Sequence, residues 1–349
     1  MSNITFLIGN GFDLNLGLKT KYSDVTKKYI EKFKKTTDIN IQEFINVLQN
    51  DYETWANFEV AMGKHTKDFN KSNINNFIHR VETYIDVLKE EFEYEESRID
   101  DKKHKEDIVE MFRVSLIEFH NCLFPVDRDM ISNIVSPSGN KKVFQYNFIT
   151  FNYTNVLEKC TKIINSEKND FFNKTHSNRL GHIVHIHGTL LEDLILGVDN
   201  TNQIANKRLI NNEKLQWMIK PNQNKSLGRT STDQARKLID TSLLICVFGM
   251  SLGVTDKTWW EYIFNWLKSN KSKHLIIFKY NEIDKSATRK RMEEITKVKN
   301  TFFSVLDSVQ DQEWKEVEDR IHISLNNENM FNVKLTNDMD QINKYAINV

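Results

Sequence analysis

The chain has 349 residues, 39% of them hydrophobic and 28% charged, and its 48 Lys plus Arg balance 48 Asp plus Glu. That suits one large or two moderate globular domains, and the zero net charge gives no indication of a nucleic-acid or acidic-membrane partner. Cys122, Cys160 and Cys246 stand alone without a CxxC pair, no apolar run is long enough to span a membrane, and the N-terminus lacks a signal-peptide pattern. These features argue against a disulfide framework or structural zinc and fit a reducing cytoplasm.

Ile4-Thr5-Phe6-Leu7-Ile8 reads as a buried strand that runs into Gly9-Asn10-Gly11-Phe12-Asp13. Glycines there let a backbone approach a nucleotide phosphate or ribose, although a plain strand-to-helix turn has the same signature. The dehydrogenase fingerprint is absent, because Leu14 stands where its third glycine would be and the stretch Tyr29–Lys35 reads as helix rather than as a second strand ending in an acid. No Gly-Lys-Ser/Thr follows, so a P-loop is unsupported as well. Asp13 would repel phosphate and better suits a ribose hydroxyl or a hydrogen bond that fixes the loop.

Residues 21–142 change character and predict a helical insertion. Trp55, Phe58, Met62 and Phe69 fall on one stripe, as do Ile74, Phe77, Ile78, Val81, Ile85, Leu88 and Phe92, and then Ile108, Phe112, Leu116, Phe119 and Leu123. The mixed-charge stretch from Lys89 to Asp107 reads as a solvated helix end and loop. Pro125 and Ser136-Pro137-Ser138-Gly139 punctuate the exit. Beyond residue 143, Phe148–Phe151, Ile183–Ile186, Leu194–Val198, Leu243–Phe248 and His274–Phe278 read as strands with helices between several of them. The pattern predicts an α/β protein in which 1–20 plus 143–349 build one Rossmann-like parallel sheet that carries the helical insertion.

Polar residues cluster where these strands end, and in doubly wound sheets ligands bind outside the carboxyl ends. Asn152 follows Phe151 and can orient a water or ribose hydroxyl, or cap the next helix. His185 and His187 share a strand face, with His187, just before Gly188, nearer the end; it can serve as a general base or be a hydrogen-bonded structural histidine. No acidic or cysteine residue lies at metal-ligand spacing from the pair, so no metal is predicted. Gly249-Met250-Ser251 can present N–H groups and a hydroxyl to a nucleotide, and Thr255 or Asp256 can cap a helix whose core face is Trp259, Trp260, Ile263, Phe264 and Leu267.

Together these motifs resemble the AbiH family of bacterial abortive-infection proteins. The resemblance rests on Ile8-Gly9-Asn10-Gly11-Phe12-Asp13-Leu14 with Gly17-Leu18 and Tyr22, on Trp55 with Phe58-Glu59, and on Thr150-Phe151-Asn152-Tyr153-Thr154. It continues through His185-Ile186-His187-Gly188, Leu196-Gly197-Val198-Asp199 and Gly249-Met250-Ser251-Leu252 with Asp256. The order of motifs is also distantly similar to the sirtuin-like superfamily. That similarity implies an NAD site lined by Gly9, Asn10, Gly11, Phe12, Asp13, Gly249, Ser251 and Asp256, with Asn152 and His187 as catalytic residues. The four-cysteine zinc module of the deacylating sirtuins is missing, which argues against deacylation, and Thr154 stands where those proteins usually carry an acid.

The expectation is a cytoplasmic phage-defence protein that hydrolyses NAD as its substrate. A phage-encoded trigger or a homo-oligomer is implied by the need to keep such an activity gated. A nuclease and a non-catalytic nucleotide sensor are the alternatives.

Overall fold

Strand β1 (Ser2–Ile8) turns Ile4, Phe6 and Ile8 into one core and Leu7 into another, so both of its faces are covered. A strand buried on both sides belongs in the middle of a parallel sheet. In the computed structural model, which describes residues 2–336 apart from 56, 101, 136–142, 167–177, 281–282, 307–308 and 326, that is where it lies. It pairs in parallel with β2 (Phe144–Thr150) on one side and β4 (Ser242–Phe248) on the other. β3 (Arg179–His185) extends the first side, and β5 (His274–Phe278) and β6 (Ile321–Ser324) extend the second. The order is β3-β2-β1-β4-β5-β6 and every pairing is parallel. The chain therefore winds outward from β1 to β3, then returns past β1 to start the other half at β4.

The described α-helices, in chain order, begin with α1 (Gly11–Asn15), α2 (Tyr22–Phe33), α3 (Ile39–Asn50), α4 (Tyr52–Trp55), α5 (Phe58–His65) and α6 (Ile74–Ser97). They continue with α7 (Lys105–Ile117), α8 (Pro125–Val135), α9 (Val156–Ser166), α10 (Glu213–Gln216) and α11 (Lys220–Ser226). Last come α12 (Ser231–Asp240), α13 (Lys257–Ser269), α14 (Thr288–Ser304) and α15 (Asp311–Lys315). None is long and apolar enough to cross a membrane.

Apolar residues from α7, α8 and α9, among them Phe112, Ile131 and Val156, cover one sheet face. α12, α13 and α14 cover the other through Ile239, Trp260, Ile263, Phe264 and Phe302. The aromatic stripe of α13 is thus core. A third core lies off the sheet, where α2 to α6 bury Tyr29, Phe44, Phe58 and Tyr84 against Leu196, Val198, Leu215 and Met218.

The segment Leu194–Val198 is not a strand. It makes one isolated parallel bridge, between Val198 and Ile219, and its Ile195, Leu196 and Val198 are buried without sheet pairing. A short apolar run reports burial more firmly than it reports conformation. β6 was not foreseen, because Ile321–Ser324 is only four residues long. The stripe from Trp55 to Phe69 is divided among α4, α5 and a 3₁₀ turn at Thr66–Asp68, with Phe69 beyond it. Nor is Lys89–Asp107 wholly solvated: Glu95 is buried, pairs with Arg98 at 2.6 Å and accepts from the Lys19 N–H at 2.8 Å, while Glu96 accepts from the Asn155 N–H at 2.9 Å. These two carboxylates tie α6 to the segment after α1 and to the segment after β2. Ser136-Pro137-Ser138-Gly139 lies outside the described residues.

β5 and β6 carry a buried histidine pair. His274 Nδ1 lies 3.0 Å from His322 Nε2, and His322 Nδ1 lies 2.9 Å from Asp127 Oδ1 on α8. Burial and the neighbouring His322 push His274 down to about 4. A histidine depressed in the folded state is neutral there while the unfolded chain takes up a proton. Its contribution is whole above the ordinary value of 6.5 and is lost as pH falls from 6.5 toward 4. His274→Gln keeps a hydrogen-bonding group but does not titrate. The stability of wild type relative to this variant should fall by on the order of 1–2 kcal/mol between pH 7 and pH 5 in urea melts. An unchanged difference would show that His274 titrates alike in the folded and unfolded chain.

Candidate functional site

The sheet order reverses between β1 and β4, and the crevice outside their carboxyl ends is where doubly wound sheets bind ligands. A cavity of about 760 Å³ opens there. Its walls come from the loop after β1 (Gly9, Asn10, Gly11, Asp13), the segment after β2 (Phe151, Asn152, Tyr153), His187 after β3, and the loop after β4 (Gly249, Met250, Ser251, Asp256). Tyr22, Asn57, Glu59 and Phe92 of the helical layer close one side, and Phe278, Lys279, Tyr280, Asn327 and Glu328 close another. The volume is within the range of about 300–1,000 Å³ usual for small-molecule sites.

The glycines after β1 meet the glycine after β4 rather than open space. The Gly9 N–H donates to the Phe248 carbonyl and the Gly11 N–H to the Gly249 carbonyl, both at 2.9 Å. A Cβ on Gly11 would stand 2.4 Å from Gly249 Cα, and one on Gly249, whose φ is +68°, would stand 2.7 Å from Gly11 Cα. The absence of side chains lets the two loops lie backbone to backbone as the cavity floor. Asn10 fixes the first loop, since its Nδ2 donates to the Thr20 carbonyl at 2.7 Å while its Oδ1 accepts from the Thr20 hydroxyl. Phe12 does not reach the cavity. It is fully buried in the sheet core, with its ring 5.5 Å from that of Phe331. Ser251 lies on the rim and is exposed.

Asp13 points inward and is buried. Its carboxylate accepts from Asn152 Nδ2 at 3.1 Å and from Thr154 Oγ1 at 2.7 Å. Of the two roles open to Asp13 in the sequence, the loop-fixing one is the one these contacts occupy. Burial raises its carboxyl to about 7 against those two hydrogen bonds, so the acid and the carboxylate coexist near neutral pH. Asp13→Ala would leave two buried donors without an acceptor, and we expect it to lower the unfolding free energy by about 2–4 kcal/mol in denaturant melts. Wild-type stability in this variant would show that Asp13 does not clamp the loops.

Asn152 is therefore held through its amide nitrogen. Its Oδ1 is buried at the cavity wall and has no hydrogen-bond partner among the described residues. His187 is also buried, with its ring 5.4 Å from that of Phe151 and edge-on to it. Burial, with Lys220 and Arg229 nearby, pushes its imidazole well below 6.5, while a hydrogen bond to the Phe151 backbone opposes this. A neutral imidazole with one nitrogen engaged by a carbonyl keeps the other as an acceptor. Gly188 holds the turn after His187 at φ +72°, and a Cβ there would meet the Asp193 carbonyl oxygen at 2.0 Å. His185 sits one layer down, hydrogen-bonded to the Asn152 carbonyl at 3.1 Å and to Glu158.

Asp256 occupies the N-cap position of α13, yet its side chain makes no capping hydrogen bond, and neither does the Thr255 hydroxyl cap this helix. Forgoing a cap costs about 1 kcal/mol. The carboxylate turns instead toward Lys220 Nζ, 3.5 Å away, and His187 Nε2, 3.7 Å away. Lys220 is buried and pairs with Glu59 at 2.9 Å. Burial pushes the Glu59 carboxyl up while Lys220 opposes it, and the surrounding acids hold Lys220 in its charged form. Tyr153 Oη donates to the Ile195 carbonyl at 3.3 Å and lies 3.5 Å from Glu59 Oε1.

Sequence reasoning missed Lys220, which has no spacing signal: it ends the run Trp217-Met218-Ile219 just before a proline. Glu59 and Tyr153 were visible only as members of longer motifs. Of the expected site residues, Asn152, His187, Gly9, Asn10, Gly11, Asp13, Gly249, Ser251 and Asp256 line one cavity, and Phe12 does not. Among the described residues no three His, Cys, Asp or Glu side chains are grouped to hold a metal ion.

A search of curated proteins finds no match to the chain. A family model described as "Bacteriophage abortive infection AbiH" matches residues 5–280, which include every wall of the cavity up to Tyr280. That match spans well over half of the 349 residues, and this chain belongs to the AbiH family.

Proposed function

We propose that this protein is a cytoplasmic abortive-infection effector that hydrolyses NAD⁺ on a Rossmann-like sheet, with residues 21–142 as a helical insertion whose α2–α6 layer lies over the site. AbiH membership implies the abortive-infection role. The NAD reading draws its support from the cavity. The strand order 3-2-1-4-5-6 is that of dinucleotide-binding sheets, and the cavity stands at their ligand position. The distant sirtuin-like order of motifs agrees with it. The observation that carries the reading is the buried, unpartnered Asn152 Oδ1 in the same cavity as a neutral His187.

In this reading Asn152 holds the attacking water and the nicotinamide ribose. The bond between ribose C1′ and the pyridinium nitrogen breaks through an oxocarbenium-like state, and its electron pair leaves with nicotinamide. The water oxygen bonds to C1′, and His187 takes the proton that is released. The products are ADP-ribose and nicotinamide. The fall in NAD would then arrest the infected cell.

The test is NAD content in cells that express the protein, followed through phage infection, beside NAD turnover by purified protein. The expected result is a fall in NAD on infection with ADP-ribose as product. Abortive infection at constant NAD would overturn the reading. Nucleic-acid breakdown in those cells would select a nuclease, and tight nucleotide binding without turnover would select a sensor.

A further inference from the structure

His187 and Asp256 line two cavities at once. Besides the cavity at the switch point they border a second of about 240 Å³, whose walls include Lys220, Arg229 and Asp199. The wall between the two spaces thus consists of His187, Asp256 and the lysine behind them. Two features of that wall carry the inference. Asp256 stands at a helix N-cap without capping, and its Oδ1 has no hydrogen-bond partner among the described residues. Lys220 is buried, with a side chain 5% exposed, although buried ion pairs are a weak source of stability. The distances join these features into one chain: Glu59 to Lys220 at 2.9 Å, Lys220 to Asp256 at 3.5 Å, and Asp256 to His187 Nε2 at 3.7 Å.

We infer that Lys220 and Asp256 are positioning residues for His187: once Nε2 carries a proton, Asp256 Oδ1 accepts a hydrogen bond from it, and Lys220, anchored by Glu59, offsets the charge of Asp256 until then. This rests on the reading of His187 as the base.

The geometry gives each group a separate part. Asp256 alone beside His187 would favour the imidazolium and leave no acceptor for a proton. Lys220 cancels that pull while the site waits. When a proton reaches Nε2, Asp256 Oδ1 is the adjacent acceptor and needs only a small contraction to hydrogen-bond it. Glu59 anchors the ammonium from the side of the helical layer, on α5, so the insertion and the sheet meet at this lysine. The other charged or titratable groups facing His187 are Arg229, which disfavours its cation, and Tyr153, whose phenol burial and Glu59 keep neutral.

The experiment is an NMR titration of the His187 imidazole in the full-length protein labelled at histidine, without NAD, with the signal assigned by its loss in His187→Gln. In wild type the ring should stay neutral well below pH 6.5. In Lys220→Met its midpoint should rise by about one pH unit or more, because the carboxylate now acts alone. Adding Asp256→Asn to that variant should cancel the rise. Lys220→Gln, which keeps a donor toward Glu59, carries the same expectation if Lys220→Met does not fold. A midpoint unmoved by loss of Lys220 would overturn the inference, as would a rise that survives Asp256→Asn. Because the titration contains no NAD, this outcome is separate from whether the protein hydrolyses it: a shifted midpoint without turnover would leave the positioning role standing and remove the substrate.

Discussion

Asn152→Ala and His187→Ala should each abolish the infection-linked fall in NAD, and with purified protein each should slow NAD turnover about 10²-fold or more. The two losses have different causes. Asn152 links Asp13 to the segment after β2 and also presents to the cavity an acceptor with no hydrogen-bond partner among the described residues. Its truncation removes the group that would orient water, and it takes away one of the two donors to Asp13, leaving Thr154 as the other. Stability must therefore be read beside activity, since a lost buried hydrogen bond costs about 1–3 kcal/mol. His187→Ala leaves the Asp13 clamp intact. A folded His187→Ala protein that still consumes NAD at the wild-type rate would remove the histidine from the chemistry. Wild-type turnover in folded Asn152→Ala would remove the asparagine likewise. Neutrality of the imidazole well below 6.5 further predicts that His187 remains competent as a base throughout the neutral range.

Gly249→Ala should cost far more than backbone strain alone, because the added methyl meets the other loop's backbone. Its φ of +68° is strained for any residue with a Cβ, by about 1–2 kcal/mol. The new methyl would also stand 2.7 Å from Gly11 Cα and 2.8 Å from the Phe12 nitrogen, both backbone atoms that cannot rotate away. The loops after β1 and β4 must then separate, which breaks the Gly11-to-Gly249 hydrogen bond and opens the floor of the cavity. We expect a loss of roughly 3 kcal/mol or more in denaturant melts, with nucleotide binding lost even where the variant still folds. Gly228→Ala is the control: its φ is +61° but nothing lies within 4 Å of the added carbon, so only the conformational cost should appear. Equal effects at the two positions would mean that the contact between the loops is not what requires glycine at 249.

Much of the frame is legible in the residues alone. Short β-branched and aromatic runs such as Ile4–Ile8 and Leu243–Phe248 have few alternatives to a buried strand, and the glycines and polar residues that end them mark the carboxyl edge. The long period of apolar residues from Ile74 to Phe92 predicts the single helix α6 for the same reason. Local periodicity is a property of the chain itself, so it survives without knowledge of neighbours. Asn152 and His187 could be singled out because each ends a strand, and parallel strands bring their ends together.

What the sequence alone determined was therefore five of the six strands, the long helix α6 and the polar residues that stand near the strand ends. The tertiary structure decided how those residues divide the work. Asp13 became a clamp because Asn152 and Thr154, about 140 positions later, meet its carboxylate; Phe12 turned into the core because Phe331 waits there. Leu194–Val198 stayed irregular because burial against the helical layer satisfied its side chains without a sheet partner. Lys220 became the center of a buried charge network because Glu59 and Asp256 approach it from different parts of the chain. Hydrogen bonds and ion pairs act over a few ångströms of space, and residue spacing along a chain does not encode which distant groups will share that space.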